Sequence, residues 1–208
     1  MSHSPAPTVR LLWADARPSS ALQACLQRLG VPMLPDATAD EVRADAMPLI
    51  VHGRGTFETA ARALRDSGTF DALRERIRAG MPTFAIGSAF QLFARASEES
   101  PGVEGLGILD IDLQRFGNSL PVPQLGWNVA VPEREATLLD ESFAYFNNAY
   151  AMARAPRRWA ASWSEYDGPF VAALECGAVV GCQFHPELSG GPGLLLIHNW
   201  LQQELVAC

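Results

Sequence analysis

The stretch that most constrains this chain is Pro82-Thr83-Phe84-Ala85-Ile86-Gly87-Ser88-Ala89-Phe90-Gln91-Leu92. Thr83 to Ile86 is a short apolar run of the kind that forms a buried parallel strand. The run breaks at Gly87, and a helical pattern resumes from about Ala89. A sharp strand-to-helix turn of this sort is a nucleophile elbow. It lifts one side chain above the sheet, on a strained backbone, against a helix N-terminus. Strand and helix nearly touch there, so the positions two before and two after the nucleophile must be small. Ala85 and Ala89 meet that requirement, which makes Gly87 the nucleophile position. Centring the turn on Ser88 instead would put Ile86 and Phe90 where small residues belong. The sequence therefore describes an elbow that carries no nucleophilic side chain.

Much later comes Gly181-Cys182-Gln183-Phe184-His185-Pro186-Glu187, a strand ending in a histidine with a carboxylate two positions on. A base with its orienting acid is the usual partner of a cysteine nucleophile. An isolated His-Pro-Glu is most often only a turn; paired with an elbow, it points to a pocket by fold analogy. Together the two stretches resemble class I glutamine amidotransferases, and among them the glutaminase subunits of imidazole glycerol phosphate synthase. That family's elbow reads roughly G-I-C-x-G-x-Q, and its base motif Q-F-H-P-E. The second motif is complete here, and the first has Gly87 in place of its Cys.

Further segments carry the resemblance from about Val9 to Leu201. Leu22 to Gly30 is similar to the family's first helix, and His52-Gly53-Arg54-Gly55-Thr56-Phe57 to its oxyanion loop, P-G-x-G-x-F. Ser97-Glu98-Glu99 matches an acidic pair after the elbow helix. Leu125-Gly126-Trp127-Asn128 matches x-G-W-N near the synthase-facing side, and Tyr145-Phe146-Asn147-Asn148-Ala149-Tyr150 matches Y-F-x-H-S-Y. The resemblance implies an α/β fold: a three-layer sandwich with a mainly parallel central sheet flanked by helices. It implies catalytic positions at His185, Glu187 and Gly87, and substrate-facing positions at Gly53, Gly55, Ser88, Gln91, Glu98 and Asn148. From the residues alone, Gln91 is equally readable as a packed helix position, and Glu98 and Glu99 as a solvated acidic end. Trp127 reads as packing or interface. His52 is the unusual histidine, at the start of the loop that faces the presumed pocket.

The departures cluster where glutamine and a synthase would be met. His52 replaces the loop's Pro, Gln124 a His, Asn148-Ala149 a His-Ser, and Leu188 a Lys. Trp13-Ala14-Asp15-Ala16-Arg17-Pro18 stands where the family has D-Y-G-x-G-N. A laboratory substitution would change one site only, so this pattern favours natural divergence.

At 208 residues with 48% hydrophobic content, one domain with a sizeable core is expected, with Met1–Pro7 as a polar tail. The net charge of −7 argues against a general nucleic-acid binder. All 16 basic residues are Arg, which excludes a lysine nucleophile or Schiff base. No signal peptide or membrane span is expected, and the chain reads as cytoplasmic. Cys25, Cys176, Cys182 and Cys208 match no zinc or redox motif, so four reduced thiols, no metal and no cofactor are expected. Odd spacing on a strand puts Cys182 on the face opposite His185, as a core thiol.

Strands are expected at Val9–Trp13, Leu49–His52, Thr83–Ile86, Phe143–Phe146, Trp159–Trp163, Val171–Glu175 and Val179–Phe184. Helices are expected from Ser19 or Ser20 to Leu29, over Phe57–Arg65 and Phe70–Arg78, and over Leu194–Leu205. Gly107 to about Val131 reads as an antiparallel or mixed extension. Three functional readings follow. The first is a pseudo-glutaminase that partners a (β/α)8 synthase-like subunit. The second is an enzyme of changed chemistry that uses His185, Glu187 and His52 without a covalent intermediate. The third is a glutamine amidotransferase whose Cys was exchanged for Gly. Glutamine or a related small molecule is the expected ligand class.

Overall fold

Strand side chains alternate between two faces, so a strand buried on both sides must be apolar throughout. The central strands of this chain are apolar apart from His52 and Thr83, at or near strand ends. A computed structural model describes residues 7–15 and 17–203, and the structural statements below concern those residues. The first half comprises β1 (Val9–Trp13), α1 (Ser20–Arg28), β2 (Met33–Leu34), α2 (Ala39–Ala44), β3 (Leu49–Gly53), α3 (Phe57–Asp66), α4 (Thr69–Arg78), β4 (Thr83–Gly87) and α5 (Ser88–Gln91). The second comprises β5 (Ala96–Ser97), β6 (Asp112–Arg115), β7 (Gln124–Pro132), β8 (Ser142–Asn148), β9 (Tyr150–Ala151), β10 (Ala160–Glu165), β11 (Pro169–Cys176), β12 (Val179–Cys182) and α6 (Gly190–Gln202).

Nine strands form one sheet in the order β2-β1-β3-β4-β12-β11-β10-β7-β8. The first five of these are parallel, and the remaining four add antiparallel. The Gly107–Val131 region divides: β7 joins the main sheet, whereas β6 pairs with β5 and β9 in a small separate sheet. Leu49, Val51 and Ala85 pack with Ala60, Leu64 and Leu73 of α3 and α4 on one face. Ile50, Phe84, Ile86 and Cys182 pack with Leu22, Leu26, Ile197 and Trp200 of α1 and α6 on the other. The architecture is the expected three-layer α/β sandwich; its sheet is mixed, parallel at one end and antiparallel at the other.

Local signals account for most boundaries. Ser19 Oγ accepts the Leu22 N–H and caps α1, and Gly30 ends it at φ +68°. Four elements have no counterpart among the expected ones: β2, α2, β5 and β9. α2 carries a capping box, Thr38 with Glu41, yet is only six residues long. α6 starts at Gly190, four residues before the expected Leu194; its expected end at Leu205 lies outside the described residues, as do Met1–Ala6 of the tail, His3 and Cys208. Arg76 is buried, and its guanidinium donates to the carbonyls of Val42, Asp45, Met47 and Pro82 and to Thr83 Oγ1. One side chain thus ties α2, the approach to β3 and the start of β4. Among the cysteines, Cys25 and Cys182 are free and buried. Cys176 is disulfide-bonded, which corrects the expectation of four reduced thiols.

Candidate functional site

Parallel strands deliver their carboxyl ends to one edge of the sheet, where open α/β folds place their sites. Here β3, β4 and β12 are neighbours in that order, with Gly53 in register with Gly87 and Cys182 with Ile86. The strand-to-helix turn at Gly87 has φ +63° and ψ −124°, a conformation that residues with a Cβ rarely adopt. A Cβ built on Gly87 would overlap the Gly53 carbonyl oxygen and lie 3.1 Å from His185 Cε1. The position read as the nucleophile's therefore does sit beside the histidine. α5 is a single turn that begins at Ser88, one residue before the expected start. It closes on β12 because Gly181 has no Cβ to meet the Phe90 ring.

Glu187 joins two imidazoles. Its Oε1 lies 3.0 Å from His185 Nδ1 and 2.7 Å from His52 Nε2. An ionised carboxylate only accepts, so both ring nitrogens carry a hydrogen toward it. Burial alone would raise the Glu187 carboxyl; the hydrogen bonds from His185 and His52, with their charge, outweigh it and hold the group at about 2. All three side chains are almost wholly buried, at 0% exposure for His52, 1% for Glu187 and 4% for His185. Glu187 Oε2 and His52 Nδ1 have no hydrogen-bond partner. Ser189 Oγ donates to the His185 carbonyl and accepts the Tyr145 N–H, anchoring the turn after β12 to β8.

The remaining expected positions divide. Gly53 and Ser88 join the cluster, but Ser88 Oγ points at Gly53, is buried and lacks a partner. Gly55 is exposed, at the foot of α3. Gln91 and Asn148 both donate to the Tyr150 carbonyl, and Gln91 also donates to Gln183. Gln91 thus takes the packed role open to it in the sequence. Glu98 is exposed and accepts the Arg115 N–H, while Glu99 accepts the Phe57 N–H at the start of α3. Sequence reasoning singled out His52 without finding its partner, and it missed the contact between Gln183 and Gln91. Alternation along β7 buries Gln124 and exposes Trp127, so the two lie on opposite faces of the strand.

An open α/β sheet with an elbow, a facing glycine loop and a His-Pro-Glu turn at one edge defines a glutamine amidotransferase-like fold. The family model described as glutamine amidotransferase class-I matches residues 36–203, and the chain belongs to that family. It is 33% identical over 205 residues to the imidazole glycerol phosphate synthase subunit HisH of Deinococcus radiodurans, covering 95% of this chain and 94% of that one. It is 36% identical over 159 residues to the HisH subunit of Escherichia coli strain K12, covering 74% and 79%. Among solved structures, one described as a glutamine amidotransferase superposes with TM-score 0.72 at 21% identity, over 93% of this chain and 98% of that one. PurLQS from Thermotoga maritima superposes with TM-score 0.68 at 15% identity, over 94% and 98%.

Proposed function

We propose that this chain is a glutaminase-subunit relative that no longer hydrolyses glutamine and serves as the binding partner of a (β/α)8 synthase-like subunit. One observation carries the reading: the elbow between β4 and α5 holds glycine, with the Gly53 carbonyl where a Cβ would stand. A glutaminase needs a thiolate to attack the amide, a histidine to move protons, a carboxylate to orient it and N–H donors for the oxyanion. His185 and Glu187 supply the middle pair. Ser88 does not replace the thiol, because its Oγ is directed at Gly53.

The partner half of the reading draws on the exposed face of the β7–β8 hairpin. Leu125, Trp127 and Val131 of β7 and Phe143 of β8 are exposed apolar residues, and Trp127 meets Tyr145 edge-on at 6.0 Å. An apolar face of this kind marks an interaction surface. The HisH relatives are described as synthase subunits. The purified protein is expected to release no ammonia from glutamine, alone or with a barrel homologue from its host, and to co-elute with that homologue. Steady ammonia release that survives alkylation of all thiols would sink the first half. A chain that elutes alone beside every such homologue would sink the second.

A further inference from the structure

The buried trio His52, Glu187 and His185 offers two imidazole nitrogens and one carboxylate whose ligand atoms all lie within 4.8 Å of one another. We propose that these residues form a zinc site. The inference goes beyond the loss of glutaminase activity and is independent of any partner.

The donor set is the first argument. Two histidines and one glutamate are a recognised protein ligand set for zinc, with bonds of about 2.0–2.2 Å and further positions left for water or an anion. Tetrahedral bonds of that length space the ligand atoms at roughly 3.3 Å. The separations of 2.7 and 3.0 Å from Glu187 Oε1 would widen by a few tenths of an ångström, and the two imidazole nitrogens, within 4.8 Å of each other, would settle to the same spacing. The elements that hold the trio are rigid: the end of β3, and the turn tied to β8 through Ser189.

The orphaned atoms are the second argument. Buried polar atoms without partners are costly, and two lie in this trio: Glu187 Oε2 and His52 Nδ1. As arranged, two N–H groups compete for one carboxylate oxygen while the other oxygen goes unused. Zinc bound to His52 Nε2 and His185 Nδ1 would leave each ring its hydrogen on the other nitrogen, so the orphan that the cation relieves is the one on Glu187. The carboxylate would meet the cation directly, and its Oε2 would become available to the second coordination position or to water. His52 stands where the resembled loop has a proline, so the third ligand is a property of this chain's own sequence. Glycine at 87 adds no side chain to crowd His185.

The test uses the full chain, stripped with a chelator and titrated with zinc against a chromophoric competitor, and with cobalt as a spectroscopic substitute. The proposal expects one equivalent of zinc and a cobalt spectrum of tetrahedral intensity without thiolate charge transfer. His52→Asn and Glu187→Gln should each weaken binding at least about a hundredfold, at the upper end of what the loss of an outer-shell partner causes. X-ray absorption on the zinc-loaded wild-type chain should find nitrogen and oxygen ligands only, a readout that does not depend on a variant folding. No stoichiometric zinc, sulfur in the coordination shell, or undiminished binding by both folded variants would overturn the site. Ammonia release from glutamine, assayed on the stripped chain, reads the lost-glutaminase proposal separately.

Discussion

At the scale of single residues, the proposed loss of glutaminase chemistry rests on Gly87, which sets its own test. A Cβ there meets both an unfavourable backbone and the Gly53 carbonyl. Gly87→Ala is expected to lower stability by about 1–3 kcal/mol, the usual cost of a residue held in such a conformation, measurable by urea denaturation. Gly87→Cys should lose a similar amount and should not restore efficient turnover, because Asn148 spends its amide on Tyr150 rather than facing a substrate. The new thiol, beside His185, should still label faster than the native free ones. Burial, with some help from Glu187, pushes the Cys25 thiol up to about 11, and burial likewise holds Cys182 well above the usual thiol range. Near pH 8 roughly one Cys25 in a thousand is thiolate, so its alkylation should be slow and rise roughly tenfold per pH unit toward pH 10. Fast labelling of Cys25 at pH 8 would contradict the burial described here. The elbow was legible in the sequence because small residues at fixed offsets leave a local signature. The bond from His52 to Glu187 was not, since it joins residues 135 apart that only the sheet order brings together.

At the scale of elements, the contact of α5 with β12 depends on a missing side chain. Gly181→Ala would drive a methyl group into the Phe90 ring. Phe90 is buried against Phe93 at 5.6 Å and has little room to retreat. A loss of about 1–3 kcal/mol is expected from overpacking, again by denaturation. An unchanged midpoint would show that α5 can shift freely on the sheet. Long apolar strands and capped helices were readable because their signals repeat over several residues. β2, β5 and β9, at two residues each, have no period to detect, and α2 is too short for its capping box to stand out. α5 is a single turn, too short for a helical period to set its end.

At the scale of the whole molecule, the antiparallel end of the sheet presents its apolar residues outward. Leu125 is 66% exposed and Trp127 57%. Leu125→Glu and Trp127→Ala should change stability by no more than about 0.5 kcal/mol, as surface substitutions do. Each should weaken a barrel partner at least about tenfold, measured by calorimetry. Unchanged affinity in both would move the interface elsewhere. The sheet order has another consequence, for synthesis. β12 sits between β4 and β11, so the middle of the sheet is supplied by residues 179–182. On the ribosome, β1, β3 and β4 emerge long before that strand exists. Until it arrives, β4 shows a bare apolar edge on which a wrong strand could pair. The nascent chain is a natural client for a holding chaperone, and a ribosome stalled short of residue 179 should leave it aggregation-prone.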